Sequence, residues 1–352
     1  MRPILILLTV LSLAAMSVRA ETLLVVRKTD NAVDFVDPGS GLRLASVALG
    51  HAPHEVSVSP DGKFAAVSNY GTRDRPGSTV SVVDLERPGE TRHIDLSPHS
   101  RPHGVQWYRE DRLAVTAEGS RSLLIVDPQA GKVVTSVNTD QEISHMVSVM
   151  PDGSRAFVAN IGSGTTTAID LREGTRLGQL ATGEGSEGLA LAANGGELWV
   201  GARAAGSLAV VDTASLQIVE RVTLPGVPIR VAATPDGRTV LVTCAGSSEV
   251  IAFDSATRKE KARRKIDVPL ADGATQRPFA RLAPGSALPV GITLSRDGKS
   301  VFVAATMADK VVELDTSTLT TRRIIDVDGE PDGMATTEVV QQSECHGCSS
   351  RP

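Results

Sequence analysis

The feature that most constrains this chain is a repeat. Seven times a short run closes on aspartate: Phe35-Val36-Asp37, Val82-Val83-Asp84, Ile125-Val126-Asp127, Ala168-Ile169-Asp170, Val210-Val211-Asp212, Ala252-Phe253-Asp254 and Glu313-Leu314-Asp315. Successive aspartates lie 47, 43, 43, 42, 42 and 61 residues apart. A second mark is a turn of Pro-Asp-Gly type. It stands at Pro60-Asp61-Gly62, Pro151-Asp152-Gly153, Pro235-Asp236-Gly237 and Arg296-Asp297-Gly298, with degenerate versions at Glu110-Asp111 and Asn194-Gly195. Pro presets φ and Gly accepts positive φ, so these are chain reversals. The Val-rich runs between them read as strands, and no long helical pattern competes. Four antiparallel strands about every 40–45 residues is the period of a β-propeller blade.

Counting strands by kind sharpens this. The innermost strand is expected at 54–59, 103–108, 145–150, 187–192, 229–234, 290–295 and 332–337, and the second strand at 22–28, 64–69, 112–117, 155–160, 197–202, 239–244 and 300–305. Both counts are seven, but out of phase. Residues 22–49 therefore supply three strands of a blade whose innermost strand is 332–337. This pins the ring shut and removes an open sheet edge. The expectation is an all-β, seven-bladed propeller over residues 21–338.

Two segments flank it. Residues 1–20 carry Arg2, an apolar run from Ile4 to Ala15, and Val18-Arg19-Ala20. That is the pattern of a signal peptide cleaved after Ala20, and it predicts a periplasmic or secreted protein. The apolar run is short for a membrane span and no later segment reaches the roughly 20 residues needed, so no membrane span is expected. Without residues 1–20 the chain has 34 basic against 41 acidic residues, a formal charge of −7. This leaves no electrostatic footprint for nucleic acid. The basic run Arg258 to Lys265 reads as a solvated loop. Three cysteines allow at most one disulfide, so stability rests on the β core.

The turn followed by Phe157-Val158-Ala159-Asn160 and then Ala168-Ile169-Asp170 resembles the repeat of the YVTN family of bacterial β-propellers. Ala66-Val67-Ser68-Asn69 is a second close version, and Trp199-Val200-Gly201-Ala202 departs from it. The resemblance covers nearly all of residues 22–337. It implies the fold but no single activity, since related propellers include binding proteins, cofactor-associated proteins and enzymes.

Function should sit where the loops lead into the innermost strands, around one mouth of the central channel. With the blades aligned on the turn aspartate, the column seven residues upstream reads His54, His103, His145, Glu187, Ile229, Val290 and Asp332. Asp332 neighbours His54 once the ring closes, so five consecutive blades offer His or carboxylate and two are apolar. Three of the chain's seven histidines fall in this column. His54, His103 and His145 are candidate ligands for a divalent metal such as zinc or copper, with Glu187 or Asp332 as fourth ligand or base. The same ring could bind an anion or act as general acid and base. Arg230 could pair with a ligand carboxylate or with an internal one. His51 and His99 lie in loops of the same class and read as solvent-exposed.

The tail at 339–352 contains Cys345-His346-Gly347-Cys348. This spacing suits metal or thiol chemistry, and Cys345 and Cys348 are candidate metal ligands or a small disulfide. Covalent haem is not expected, because Ser349 stands where the haem motif needs His. Cys244 reads as a buried small residue. Two insertions break the period: Thr72–Ser78, and some 19 extra residues within 258–289 whose side of the ring is open. No Gly-x-Ser-x-Gly elbow or phosphate loop is present. The leading expectation is a binding or accessory protein holding a metal or small molecule at its mouth, with a periplasmic protein partner conceivable. The alternatives are a metal-dependent propeller enzyme (a lyase or lactone hydrolase) and a protein–protein platform.

Overall fold

A computed structural model describes residues 21–338 apart from Pro225. The candidate signal peptide and the tail with Cys345 and Cys348 lie outside the described residues. Seven four-stranded antiparallel sheets are arranged as blades. Blades 1 to 6 span residues 53–95, 102–138, 144–180, 186–223, 228–265 and 289–326. In blade 7, Pro331–Thr337 pairs antiparallel with Thr22–Arg27, followed by Ala32–Val36 and Arg43–Ala48. The expected closure is therefore present, and the innermost strands neighbour one another right round the ring.

The repeated residues have local physical reasons. Each aspartate that ends a third strand accepts backbone N–H groups of the turn after it. Asp127 takes those of Gln129 and Ala130, Asp170 those of Arg172 and Glu173, and Asp315 those of Ser317 and Thr318. In three of the four Pro-Asp-Gly type turns a hydroxyl two residues before the aspartate donates to it: Ser59 to Asp61 at 2.6 Å, Thr234 to Asp236 at 2.6 Å and Ser295 to Asp297 at 2.8 Å. The following glycine has positive φ, as at Gly62 (74°). These are side-chain-stabilised turns that start and stop strands without help from the rest of the fold.

Burial then follows from blades packing face to face. Second and third strands are covered on both sides, so Thr22–Arg27 and Thr239–Cys244 are buried throughout and read as continuous apolar runs. The cores lie between blades. Ala66, Val80 and Ile94 of blade 1 pack against Trp107, Val115 and Leu124 of blade 2. Leu23, Val25 and Val36 of blade 7 pack against Phe302, Ala304 and Val311 of blade 6. Outermost strands alternate or are exposed. Among them is Glu260–Lys265, so the basic run is the outer strand of blade 5 rather than a loop. Its Arg263 pairs with Glu249 and Glu260.

Candidate functional site at the channel mouth

The column of rim residues is shaped by two backbone devices. Just before it the chain passes through left-handed residues, Ala52, Arg101, Ile143, Leu288 and Glu330, with φ between 45° and 56°. Just after it the pairing with the second strand shifts register, as between Pro53 and Val56, Pro102 and Val105, and Ser144 and Val147. A bulge re-aims the side chain beside it. The preceding blade then clamps several rims. Ser68 donates to the carbonyl of His103 at 2.6 Å, Thr116 to that of His145 at 2.5 Å, Thr243 to that of Val290 at 3.1 Å and Thr306 to that of Pro331 at 2.7 Å.

The outcome is convergence. All seven members of the column line one cavity of about 130 Å³, together with Lys28, Tyr70, Arg203, Arg230 and Phe279. His103 and His145 are stacked, with ring centroids 3.5 Å apart and planes 29° apart, and His54 lies 4.8 Å from His103. Tyr70 sets its ring edge-on to both His54 and His103.

Carboxylates decide the protonation of these rings. His145 Nδ1 lies 2.6 Å from Glu118 Oε1, and its Nε2 faces Glu187 Oε1 at 3.5 Å. Burial works against the imidazolium, but these two carboxylates outweigh it and raise the His145 pKa. His54 Nδ1 is 3.0 Å from Asp332 Oδ2; burial still lowers its pKa. His103 has no carboxylate partner, and burial beside His145 and His54 pushes it well below the ordinary range. The two stacked rings are therefore pushed in opposite directions, His145 toward the imidazolium and His103 toward the neutral imidazole. Glu187, despite burial, is held down to about 2 by His145, Arg230 and Arg203. Asp332 is likewise held low by Lys28, His54 and Arg230 against the effect of burial.

Arg230 turns inward. Its guanidinium bonds Glu55 Oε1 at 2.7 and 3.2 Å, Glu187 Oε1 at 3.0 Å and its own chain at Ile229. Glu55 belongs to blade 1 and Arg230 to blade 5, so this ion pair spans the channel. The internal-partner reading of Arg230 holds, and its guanidinium is already satisfied. Sequence reasoning missed Glu55, although it and Arg230 occupy one column: the position after the rim reads Glu55, Gly104, Met146, Gly188, Arg230, Gly291 and Gly333. The glycines are there because the next blade's backbone comes close. A Cβ on Gly291 would sit 1.9 Å from the carbonyl of Asp332, and one on Gly333 2.4 Å from that of His54.

A further column was also missed. It reads Lys28, Tyr70, Glu118, Ile161, Arg203, Ala245 and Thr306, each just after its second strand except Tyr70, which lies near the end of the longer strand Phe64–Gly71. Four of them line the cavity or hold its histidines. Tyr70 donates to Glu118 Oε2 at 2.6 Å, and burial with that negative charge pushes its phenol up to about 12. Lys28 Nζ lies 3.6 Å from Glu330, 3.7 Å from Asp332 and 3.8 Å above the Phe279 ring. Polar residues at both columns in the same blades were the available signal.

Phe279 answers the question left open by the long insertion. Once Glu260–Lys265 is assigned to blade 5, the extra chain is residues 266–288, with 3₁₀ turns at Ala274–Gln276 and Pro278–Arg281. It lies on the mouth. Ala274, Ala283 and Leu288 pack on Ile229, Ala245, Val290 and Met307, so the two apolar rims are the insertion's seat. Arg277 ties it down through Asp309 Oδ1 at 2.8 Å and Glu330 Oε1 at 3.6 Å. On the other side, Thr72–Ser78 extends the hairpin of Phe64–Gly71 and Pro76–Asp84, and Arg101 holds its tip through the carbonyls of Thr72 and Arg73. His51 is exposed, His99 bonds Ser120 at 2.8 Å, and Cys244 is a buried free thiol pushed up to about 12 by burial.

Among the described residues no group of three or more His, Cys, Asp or Glu side chains could hold a metal ion. His103 and His145 stack face to face, and both nitrogens of His145 face carboxylates, Glu118 and Glu187.

No protein-family model matches the sequence, and no curated protein matches it. Solved structures do. A chain of the Kuenenia stuttgartiensis hydrazine synthase aligns with TM-score 0.69 at 20% identity, over 84% of this chain and 93% of that one. A functionally unknown protein from Desulfotomaculum acetoxidans aligns with TM-score 0.72 at 12% identity, over 90% and 98%. At such identities the likeness shows the fold alone. The chain is a seven-bladed β-propeller of four-stranded antiparallel blades.

Proposed function

We propose that this chain is an exported binding or accessory protein that holds a small polar ligand at the channel mouth under the 266–288 insertion. One observation carries the reading: four polar atoms of the residues lining the cavity, His103 Nδ1, His145 Nε2, Glu187 Oε2 and Asp332 Oδ1, are buried with no hydrogen-bond partner, and the first and last have no ion-pair contact either. A buried polar atom without a partner costs about 1–3 kcal/mol, and a ligand or bound water that supplies the missing bonds removes that cost. Export rests on the sequence of residues 1–20. The arrangement of the histidines gives less support to a metal-dependent lyase or lactone hydrolase, for the reasons of ring stacking and carboxylate pairing given above.

The test is native mass spectrometry of the mature protein after incubation with a library of small polar metabolites, repeated on the His103→Gln/Asp332→Asn double variant. A species bound one per chain to wild type and lost from the folded variant supports the reading. If wild type retains nothing, and His103→Leu proves more stable than wild type, the mouth is a structural plug and the proposal fails.

A further inference from the structure

We propose that Phe279 is the gate of the mouth, a ring with two seats: a closed one over Lys28, occupied in this structure, and an open one in a second cavity on the other side of the same turn. The rim residues need such a gate. His54, His103, His145, Glu187, Arg230 and Asp332 are all between 3% and 8% exposed, so whatever reaches them first displaces something at the edge of the cavity. Three lining residues stand at that edge, Tyr70, Arg203 and Phe279, each only partly buried. Tyr70 is tethered to Glu118 at 2.6 Å and Arg203 to Glu187 at 2.8 Å. Phe279 has no such tether, and it is the only lining residue that belongs to the 266–288 insertion.

The insertion is fastened on either side of this ring. Arg277 donates to Asp309 at 2.8 Å and to the Thr306 carbonyl at 3.2 Å, and Ala283 is buried in the apolar seat. Between these anchors the 3₁₀ turn Pro278–Arg281 has no buried residue. Its backbone bonds, Ala280 to Arg277 and Leu282 to Phe279, stay within the turn. What holds Phe279 is partial burial on the seat and the Lys28 ammonium 3.8 Å from its ring, a weak contact. The turn is also a partition. Phe279 lines the mouth, while the next residue, Ala280, lines a cavity of about 260 Å³ that shares no lining residue with it. The walls of that second cavity are mostly apolar: Leu270, Ala274, Ala280, Ala283, Pro284 and Met307. A phenyl ring moved there covers apolar surface that water otherwise touches, and gives up the ammonium contact in exchange. Two seats of comparable worth on a turn anchored at both ends make a bistable element rather than a fixed plug.

Thiol labelling reads the gate without any ligand. Val290→Cys puts a reporter on the mouth wall of the mature protein, with Cys345→Ser and Cys348→Ser, and with the buried Cys244 left in place. Methyl methanethiosulfonate, small and uncharged, should modify it about a hundredfold more slowly than Gly89→Cys, an exposed site in open space. Adding Phe279→Ala should speed the reaction about tenfold or more, and Ala283→Leu, which fills the second cavity from its wall, should slow it several-fold. Where Ala283→Leu does not fold, Thr275→Leu, at an exposed position lining the same cavity, takes its place. Fluorine NMR of protein labelled with fluorophenylalanine, which has six such sites, gives the second reading. The Phe279 signal, identified by its loss in Phe279→Leu, should be doubled or exchange-broadened, and single and sharp once the second cavity is filled. Val290→Cys reacting as fast as Gly89→Cys, or at a rate that Phe279→Ala leaves unchanged, would overturn the gate. A single sharp Phe279 signal in wild type would overturn the second seat. Neither readout uses a ligand, so both failures leave the reading of the mouth as a binding site to its own test.

Discussion

Arg230 reaches from blade 5 to Glu55 of blade 1, and the consequences of cutting that link can be worked from its surroundings. In Arg230→Met, Glu55 loses both its bonds, at 2.7 and 3.2 Å, while Glu187 keeps Arg203 at 2.8 Å and His145 at 3.5 Å. Only Glu55 is left as a buried, unpaired carboxylate. Burial and the nearby Asp332 already raise its pKa against the pull of Arg230, so without Arg230 it takes a proton. Removing one partner of a buried pair costs about 3–5 kcal/mol. In Glu55→Leu, by contrast, Arg230 retains Glu187 and the Ile229 carbonyl, and the loss should be about 1–2 kcal/mol. The double variant removes both buried charges and should be no worse than Arg230→Met alone, a coupling of roughly 1–2 kcal/mol. Urea unfolding followed by tryptophan fluorescence gives all four corners, with Trp107 and Trp199 both buried in inter-blade cores. If Arg230→Met lies within about 0.5 kcal/mol of wild type, or the two single losses simply add, the channel-spanning pair is not what holds these blades together.

Two further outcomes are expected. The raised pKa of His145 means its ion pairs stabilise the fold fully below about pH 6.5 and fade as pH rises through the folded value, whereas the lowered values of His54 and His103 give stability that is complete above about pH 6.5 and lost on acidification. Urea midpoints at about pH 5 to 9 should therefore show His103→Gln flattening the acid side, while His145→Gln loses more at pH 6 than at pH 9; unchanged slopes in both would refute these assignments. Gly291→Ala forces a Cβ against the backbone of the closing strand and should cost about 3 kcal/mol, whereas Gly89→Ala, with open space around it, should be close to neutral by the same urea assay.

Most of the architecture could be read in one dimension because its causes are local. Asp127 caps its turn through Gln129 and Ala130, and Ser59, Asp61 and Gly62 close theirs among themselves. Such turns repeat because each blade must be cut to the same length, and period alone then yields seven blades and the closing pairing of Thr22–Arg27 with Pro331–Thr337. The rim column was legible for the same reason: a residue at a constant offset from a turn keeps a constant place in the ring. That is how His54, His103, His145, Glu187 and Asp332 could be placed together from spacing.

What those residues do to one another was not in the spacing. Ring closure brings blade 1 opposite blade 5, so Glu55 and Arg230 meet across 175 positions of chain. Stacking of His103 on His145, with Glu118 on one nitrogen of the latter, sets side by side two imidazoles whose pKa values move in opposite directions. The insertion's seat on Ile229 and Val290 likewise depends on which blades adjoin. The sequence by itself determined the blade, the count and the rim, since hydrogen bonding within a turn and alternation within a strand are short-range. The charge state and partners of the mouth were decided only by the tertiary structure, because burial and Coulomb interactions act across space between groups that the chain keeps far apart.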